Sequence, residues 1–76
     1  MGDYQKAIND LAEALARKPG DPIGLTRRGQ AYEALGQKAL ALDDFRAALD
    51  ADAALESAKE GFARIMTEQQ RSEGQK

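Results

Sequence analysis

Hydrophobic and small residues recur at helical spacing through the central part of the chain, from Pro22 to Leu55. They fall into two blocks separated by Gly36-Gln37, and within each block they lie three or four positions apart, as on one side of an α-helix. The positions are Leu25, Gly29, Tyr32 and Leu35 in the first block and Ala41, Leu42, Phe45, Ala48 and Leu49 in the second. The pattern predicts two helices that pack on each other through their apolar stripes.

A further apolar stripe precedes this pair and predicts an amphipathic helix over about residues 3–18. Its inward positions are Tyr4, Ala7, Ile8, Leu11, Ala14 and Leu15. Asp3 can accept hydrogen bonds from the unpaired amides of the first turn. The segment Pro19-Gly20-Asp21-Pro22 then predicts a tight turn, because the residue before a proline disfavours helical geometry and Pro22 fits the first position of a new helix.

The second helix is predicted over about residues 22–35, with Gly36 as a left-handed terminator because glycine adopts positive φ freely. Gly29 lies in the middle of this helix, where glycine costs roughly 1 kcal/mol relative to alanine. We therefore expect Gly29 to be a contact residue that allows a neighbouring helix to approach closely.

Two more helices are predicted over about residues 38–51 and 53–69. The third should direct Leu42, Phe45, Ala48 and Leu49 inward and leave Asp43, Asp44, Arg46 and Asp50 to solvent. The fourth should bury Leu55, Ala58, Phe62, Ile65 and Met66. No glycine or proline separates the two between Lys38 and Glu60, so a single fused helix is the alternative to a break capped by Asp52. Residues 71–76 are expected to form a polar, frayed tail.

The sequence also repeats itself. A shift of about 34 residues places Gly2 on Gly36, Ala7 on Ala41, Asp10 on Asp44, Ala14 on Ala48 and Leu15 on Leu49. The motif of the tetratricopeptide repeat is matched by Leu25, Gly29, Tyr32, Ala41, Phe45 and Ala48. Its second half is matched one unit earlier by Ala7, Leu11, Ala14 and Pro19. The next unit follows with Phe62, Ala63 and Met66. The chain resembles tetratricopeptide repeat (TPR) proteins over nearly all of residues 2–69.

This resemblance implies an all-α fold in which antiparallel helical hairpins stack as a right-handed α-solenoid. It implies one domain over residues 2–70, with the second half of a repeat at 2–21, a complete repeat at 22–55 and a following helix at 56–70. Two residues depart from the family pattern, Arg28 at a large apolar position and Ala53 in place of a terminal proline. We expect Arg28 to lay its stem on apolar surface and keep its head group in water. Contact with a carboxylate or another anion is the alternative.

In the family, the first helices of successive units line a groove that receives a peptide or a segment of another protein. The resemblance gives ten groove-facing positions: Ile23, Thr26, Gln30, Glu33, Ala34, Ser57, Glu60, Arg64, Thr67 and Glu68. Thr26, Gln30, Glu33, Ser57, Glu60 and Arg64 are the six predicted to bind a partner. Some TPR proteins share a set of Lys, Asn and Arg residues in this groove that binds a carboxylate, called a carboxylate clamp. Here only Arg64, and loosely Gln30, resembles that clamp, and Glu60 stands where a cation is needed. Capture of an acidic C-terminal peptide is therefore not expected.

Self-association is a second hypothesis, from a different class. The resemblance makes the first helix the second half of a unit, so its apolar residues should need a cover, either an upstream helix or a second copy. Tyr4, Ile8, Leu11 and Leu15 are the residues predicted to form this contact in a homodimer. Exchange of the last helix between chains through Ala51-Asp52-Ala53-Ala54 is the other form that such a dimer could take.

Composition narrows the remaining functions. Eleven basic and thirteen acidic residues are mixed along the chain and give a net charge of −2, which disfavours nucleic acid and anionic membranes as partners. Histidine and cysteine are absent, so the usual zinc ligand sets and nucleophile–base pairs cannot be assembled, and Asp43-Asp44 and Asp50-Asp52 lack the spacing of a calcium loop. We expect no metal, no cofactor and no enzyme activity. Signal and membrane-spanning patterns are lacking, which favours the cytoplasm but leaves localisation open.

The sequence therefore predicts a protein–protein interaction module that binds a peptide or protein segment without catalysis. A homodimerisation module is the alternative.

Overall fold

Four helices in sequence make up the structure. The computed structural model describes the backbone of residues 2–74 and the side chains of residues 2–71. Helix α1 spans Tyr4–Arg17, α2 spans Pro22–Ala34, α3 spans Lys38–Ala51 and α4 spans Glu56–Gly74. No strand occurs within residues 2–74. The predicted all-α helical-repeat fold is confirmed, and the first three helices begin and end within one residue of their predicted bounds.

The ends of these helices are fixed by the residues that the sequence singled out. The Asp3 carboxylate accepts a hydrogen bond from the Lys6 amide at 3.0 Å, and that of Asp21 accepts one from the Ile23 amide at 3.3 Å. At the end of α2, Gly36 has φ +81°. Its amide donates to the Glu33 carbonyl at 3.0 Å, and the Gln37 amide donates to the Tyr32 carbonyl at 2.9 Å. These two bonds form a Schellman motif, which satisfies carbonyls that the last turn leaves unpaired.

Helices α3 and α4 are separate rather than fused. Asp52 ends α3, and one of its carboxylate oxygens accepts a hydrogen bond from the Ala54 amide at 3.1 Å. The Leu55 amide donates to the Asp52 carbonyl at 3.1 Å, which closes the turn before α4 begins at Glu56. The predicted start at Ala53 is therefore wrong, because the Asp52 side chain competes for an amide that a continuing helix would need.

The predicted end of α4 at Gln69 is also wrong. The helix continues to Gly74, so the part of the expected polar tail at residues 71–74 is helical. The Gln, Arg and Glu residues that follow Gln69 are good helix formers, and neither proline nor glycine interrupts them before Gly74. Residues 75 and 76, the rest of that predicted tail, lie outside the described residues.

Helix α2 lies at the centre of the fold. It contacts α1, α3 and α4, and α3 also packs on α4. The core is formed by Leu15, Leu25, Ala41, Phe45, Ala48, Ala58 and Ile65. Phe45 and Ile65 are its largest fully buried side chains. One apolar core therefore joins all four helices.

Glycine allows α2 and α4 to lie close to Phe45 of α3. A Cβ built on Gly29 would lie 2.9 Å from a ring carbon of Phe45, and one built on Gly61 would lie 2.5 Å from the same ring. Neither distance is compatible with a methyl group beside a fixed ring, since such overpacking displaces the core. The predicted role of Gly29 as a contact residue is confirmed. The equivalent role of Gly61 was not predicted.

A partly buried ion pair ties α2 to α3. The Arg28 Nε donates to Asp44 Oδ2 and its Nη2 donates to Asp44 Oδ1, both at 2.8 Å. The Arg28 Cζ also lies 5.9 Å from the centroid of the Tyr32 ring. The bidentate bond raises the pKa of Arg28 above its usual value, although burial acts in the opposite direction.

Two predictions fail at this pair. Asp44 is buried, with 5% of its surface exposed, and does not lie on the solvent side of α3. Arg28 directs its head group to that carboxylate and not to water, so the carboxylate contact is the alternative that holds. The physical reason is that the Arg28 guanidinium and the Asp44 carboxylate satisfy each other with two hydrogen bonds, which allows both groups to leave water at least in part.

Candidate partner-binding surface

The residues predicted to bind a partner lie on two neighbouring helices. Thr26, Gln30 and Glu33 are on α2, and Ser57, Glu60 and Arg64 are on α4. These helices contact each other, and Glu33 of the first group binds Arg64 of the second; the side of α2 and α4 marked by the six residues is here called the α2/α4 face. The structure therefore brings the two predicted groups together.

Two of the six residues bind each other. The Arg64 Nε donates to Glu33 Oε2 at 2.6 Å, and its Nη2 donates to Glu33 Oε1 at 2.7 Å. The bond to Arg64 lowers the pKa of Glu33, against the effect of burial, and the same bond raises the pKa of Arg64. The pair crosslinks α2 and α4, and it engages the one arginine that resembled a carboxylate clamp.

A second ion pair borders the same surface. The Lys38 Nζ at the start of α3 donates to Glu68 Oε1 of α4 at 2.6 Å. The sequence predicts Glu68 as a groove-facing residue but does not single out Lys38. The two residues are thirty positions apart, and no local pattern links them. The pair is exposed, so it contributes little stability but does orient Glu68.

The remaining predicted residues divide into exposed and buried. Gln30, Ser57 and Glu60 are exposed and can meet a partner. Thr26 is buried, and its hydroxyl donates to the Pro22 carbonyl at 2.7 Å within α2. Thr26 therefore does not offer a partner its hydroxyl group. Ile23, one turn earlier, is 48% exposed and adds an apolar group to the α2/α4 face.

A shallow groove follows one side of α4. Its lining residues are Glu60, Ala63, Arg64, Thr67, Glu68 and Arg71. Charges of both signs alternate along it, and two of them are already engaged in the ion pairs with Glu33 and Lys38. The exposed carboxylate of Glu60 has no ion-pair partner within 4.0 Å in the described part of the chain.

The Glu33–Arg64 pair predicts a pH-dependent stability. Because the pKa of Glu33 is lower in the folded state, pairing stabilises the fold fully above the ordinary pKa of a glutamate, and this stabilisation is lost as the pH falls through the lower folded-state pKa. Glu33→Gln should lower the free energy of unfolding by about 0.5–1 kcal/mol at pH 7, a value kept small because Arg64 is half exposed. Near pH 2 the variant and the parent should be equally stable.

Urea denaturation at pH 2, 4 and 7 measures this difference. Glu13→Gln is the matched control, since Glu13 is exposed on α1 and has no ion-pair partner among residues 2–71. It should behave as the parent at every pH. A Glu33→Gln effect that stays constant from pH 2 to 7 would contradict the electrostatic origin.

A second groove lies between α1 and α2 and is called the α1/α2 groove. Its lining residues are Tyr4, Ala7, Asp10 and Leu11 of α1 and Arg27 and Ala31 of α2. Two of the four residues predicted to form a self-association contact, Tyr4 and Leu11, therefore lie in it. Tyr4 is 42% exposed.

The other two predicted self-association residues are not accessible. Ile8 and Leu15 are buried within the chain. Leu15 packs against α2 at Gly24, where an added Cβ would lie 3.2 Å from a Leu15 methyl carbon. The expectation that Ile8 and Leu15 lack a cover is wrong, because α2 supplies it.

Membrane and metal sites are not found in the described residues. None of the described helices is long and apolar enough to cross a bilayer. In the same part of the chain, no three His, Cys, Asp or Glu side chains are grouped so as to hold a metal ion.

Comparison with known proteins agrees with the repeat seen in the helices. Residues 24–55 match the family profile described as tetratricopeptide repeat. This chain is 42% identical to the mitochondrial import receptor subunit TOM34 of Mus musculus and 41% identical to that of Rattus norvegicus. Each match covers 64 residues, which is 84% of this chain and 21% of the relative. The peptidyl-prolyl cis-trans isomerase PASTICCINO1 of Arabidopsis thaliana is 39% identical over 57 residues, which is 75% of this chain and 9% of the relative.

The chain thus spans about a fifth or less of the length of these relatives. No solved structure matches it. The matched profile coincides with the complete unit formed by α2 and α3, whose Gly29 and Phe45 occupy motif positions and pack on each other. On the profile, the relatives and the helical hairpin together, the chain belongs to the tetratricopeptide repeat family.

Proposed function

We propose that the chain is a protein-interaction module that binds a peptide or protein segment on the α2/α4 face. The family implies a protein–protein interaction role, and one observation supports this surface in particular. Exposed polar groups of Gln30, Ser57 and Glu60, together with the exposed Ile23 side chain, come from α2 and α4, two helices that contact each other. Such a surface offers hydrogen-bonding groups beside an apolar contact.

The charges of the face indicate the chemistry of the partner. Arg64 is bound to Glu33 and Lys38 to Glu68, whereas the Glu60 carboxylate has no ion-pair partner within the described residues. We therefore propose a partner segment that places a lysine or arginine beside Glu60. A segment recognised by its C-terminal carboxylate would have to compete with Glu33 for Arg64, at a cost in affinity.

We propose no catalysis for this chain. PASTICCINO1 is an isomerase by name, but the matching segment is 9% of that protein. Import receptor subunit is likewise the description of a whole protein of which the chain matches 21%. The proposal for this chain is limited to binding.

Selection from a library of random twelve-residue peptides displayed on phage tests this proposal. Peptides enriched on the immobilised chain should carry basic residues, and Glu60→Lys should weaken their binding about tenfold in a fluorescence-anisotropy titration, because the reversal replaces an attraction with a repulsion.

Asp43→Lys is the matched control, an equal change of charge at an exposed position of α3. It should change the affinity less than twofold. Equal losses for the two variants would show a non-specific charge effect, and enrichment of peptides that bind independently of Glu60 would overturn the proposed site.

A further inference from the structure

Four charged residues of alternating sign follow the shallow groove along α4, here called the α4 groove. In chain order they are Glu60, Arg64, Glu68 and Arg71. Neighbours in this series are three or four positions apart, a spacing at which opposite charges on one helix can pair. Pairing within α4, of Glu60 with Arg64 and of Glu68 with Arg71, would leave no unpaired charge in the groove.

The two inner charges bind residues of other helices instead. The Arg64 guanidinium donates to the Glu33 carboxylate of α2 at 2.6 and 2.7 Å, and the Lys38 Nζ of α3 donates to Glu68 at 2.6 Å. Each of these bonds turns its α4 side chain away from the neighbour on its own helix. The pairs that join α4 to α2 and α3 therefore replace the two pairs that α4 could form alone.

The two outer charges lie at opposite ends of the groove. Glu60 and Arg71 are both exposed, and neither has an ion-pair partner within 4.0 Å in the described part of the chain. Eleven positions of α-helix make three turns, so both residues face the same side, about 16 Å apart along the helix axis. Between them the groove is lined by the small exposed residues Ala63 and Thr67. The groove thus has a negative end, a balanced centre and a positive end.

We propose that the α4 groove binds an extended segment that carries a basic and an acidic side chain about five residues apart. The basic side chain pairs with Glu60 and the acidic one with Arg71. An extended chain advances about 3.3 Å per residue, so about five residues cover the distance between the two ends. Charge complementarity is the argument for this occupant, and the small residues at the centre leave room for its backbone. The inference rests on the proposed function and adds to it a contact at Arg71 and a spacing of charges.

Selection from random sixteen-residue peptides displayed on phage tests the spacing. Peptides enriched on the immobilised chain should carry a basic and an acidic residue about four to six positions apart more often than at any other separation. Enrichment of basic residues without an acidic residue at that spacing would overturn the proposal. A preferred separation of about eleven residues would also overturn it, because that spacing indicates a helical partner.

A double-mutant cycle on one enriched peptide tests the contact with Arg71. Replacement of the acidic residue of the peptide by its amide should raise Kd for the parent chain about threefold in a fluorescence-anisotropy titration. For Arg71→Gln the same peptide change should alter Kd less than about 1.3-fold, because the opposing charge is absent. Arg17→Gln is the matched control, since Arg17 is likewise exposed in the last turn of its helix. The threefold change should remain in that variant.

The cycle separates this proposal from the proposed function. An equal cost of the amide replacement on the parent and on Arg71→Gln would overturn the contact at Arg71, and so would its disappearance in Arg17→Gln. If binding still depends on Glu60 in either case, the proposed function stands without that contact. Binding that does not depend on Glu60 would remove the proposed function, and this inference with it.

Discussion

Replacing Phe45 with alanine is expected to remove most of the stability of the fold. The Phe45 ring is fully buried and contacts Gly29 of α2 and Gly61 of α4, so the cavity would lie where three helices meet. Deletion of a buried phenylalanine ring costs about 3–5 kcal/mol. A domain of 76 residues has a free energy of unfolding of about 4–11 kcal/mol in total. Guanidinium denaturation followed by circular dichroism should show a lower midpoint or no folded baseline.

Graded variants keep this prediction testable if Phe45→Ala does not fold. Phe62→Ala removes the same ring from a half-buried position at the edge of the core and should cost about 1–2 kcal/mol. Phe45→Leu should retain the fold and lose an intermediate amount. Gly61→Ala should be harmful beside Phe45 and less so in Phe45→Leu, because the clash is with the ring. Similar losses for Phe45→Ala and Phe62→Ala would contradict the central role of Phe45.

The helices were predictable because the signals that start and stop them are local. These signals are Asp3, the turn at residues 19–22 and Gly36, and each acts on amides or carbonyls within a few residues. The local sequence therefore indicates where those helices begin and end. The break before α4 depends on the Asp52 side chain in competition with a run of good helix formers. Propensity alone does not decide that competition, and the predicted start was three residues early.

The ion pairs could be predicted less well because their partners are far apart in sequence. Glu33 and Arg64 are separated by 31 residues, and Arg28 and Asp44 by 16. A signal for the second pair nevertheless exists. Asp44 lies in the inward series Ala41, Asp44, Phe45, Ala48, and Arg28 lies in the series Leu25, Arg28, Gly29, Tyr32. Residue type suggested solvent for both, whereas helical position suggested the interior. Opposite charges at inward positions of adjacent helices indicate a buried pair.

The two surfaces predicted for partner binding and self-association also differ in how far the sequence determines them. The α2/α4 face could be predicted from the register of the repeat, because that register fixes which positions of successive first helices lie side by side. The burial of Thr26 could not, since it depends on how closely α2 packs on its neighbours. The burial of Leu15 could not be predicted either, since it depends on Gly24, which lets α2 approach α1 closely.

Asp44→Asn is expected to destabilise the fold by about 1–3 kcal/mol. The change keeps the size of the side chain but leaves the Arg28 guanidinium without its counter-charge. Removal of one partner from a fully buried pair costs about 3–5 kcal/mol, and the lower figure applies here because a quarter of the Arg28 side chain is exposed. Asp10→Asn is the matched control one repeat earlier, where the carboxylate is exposed, and it should change stability by less than about 0.5 kcal/mol. Urea denaturation of the two variants at one pH and salt concentration measures the difference.

A double replacement shows what the ion pair contributes. The double variant Arg28→Met with Asp44→Leu has no charge at either position, and apolar packing can substitute for the ion pair. Most or all of the stability lost in Asp44→Asn should therefore return. If the double variant is as unstable as Asp44→Asn, the loss comes from packing and not from an unpaired charge. If the double variant recovers, the net contribution of the ion pair to stability is small. The pair then acts mainly on orientation, because its two hydrogen bonds of 2.8 Å fix the position of α2 on α3. That position in turn sets Glu33 beside Arg64 of α4, so the partly buried pair aligns the face on which a partner is proposed to bind.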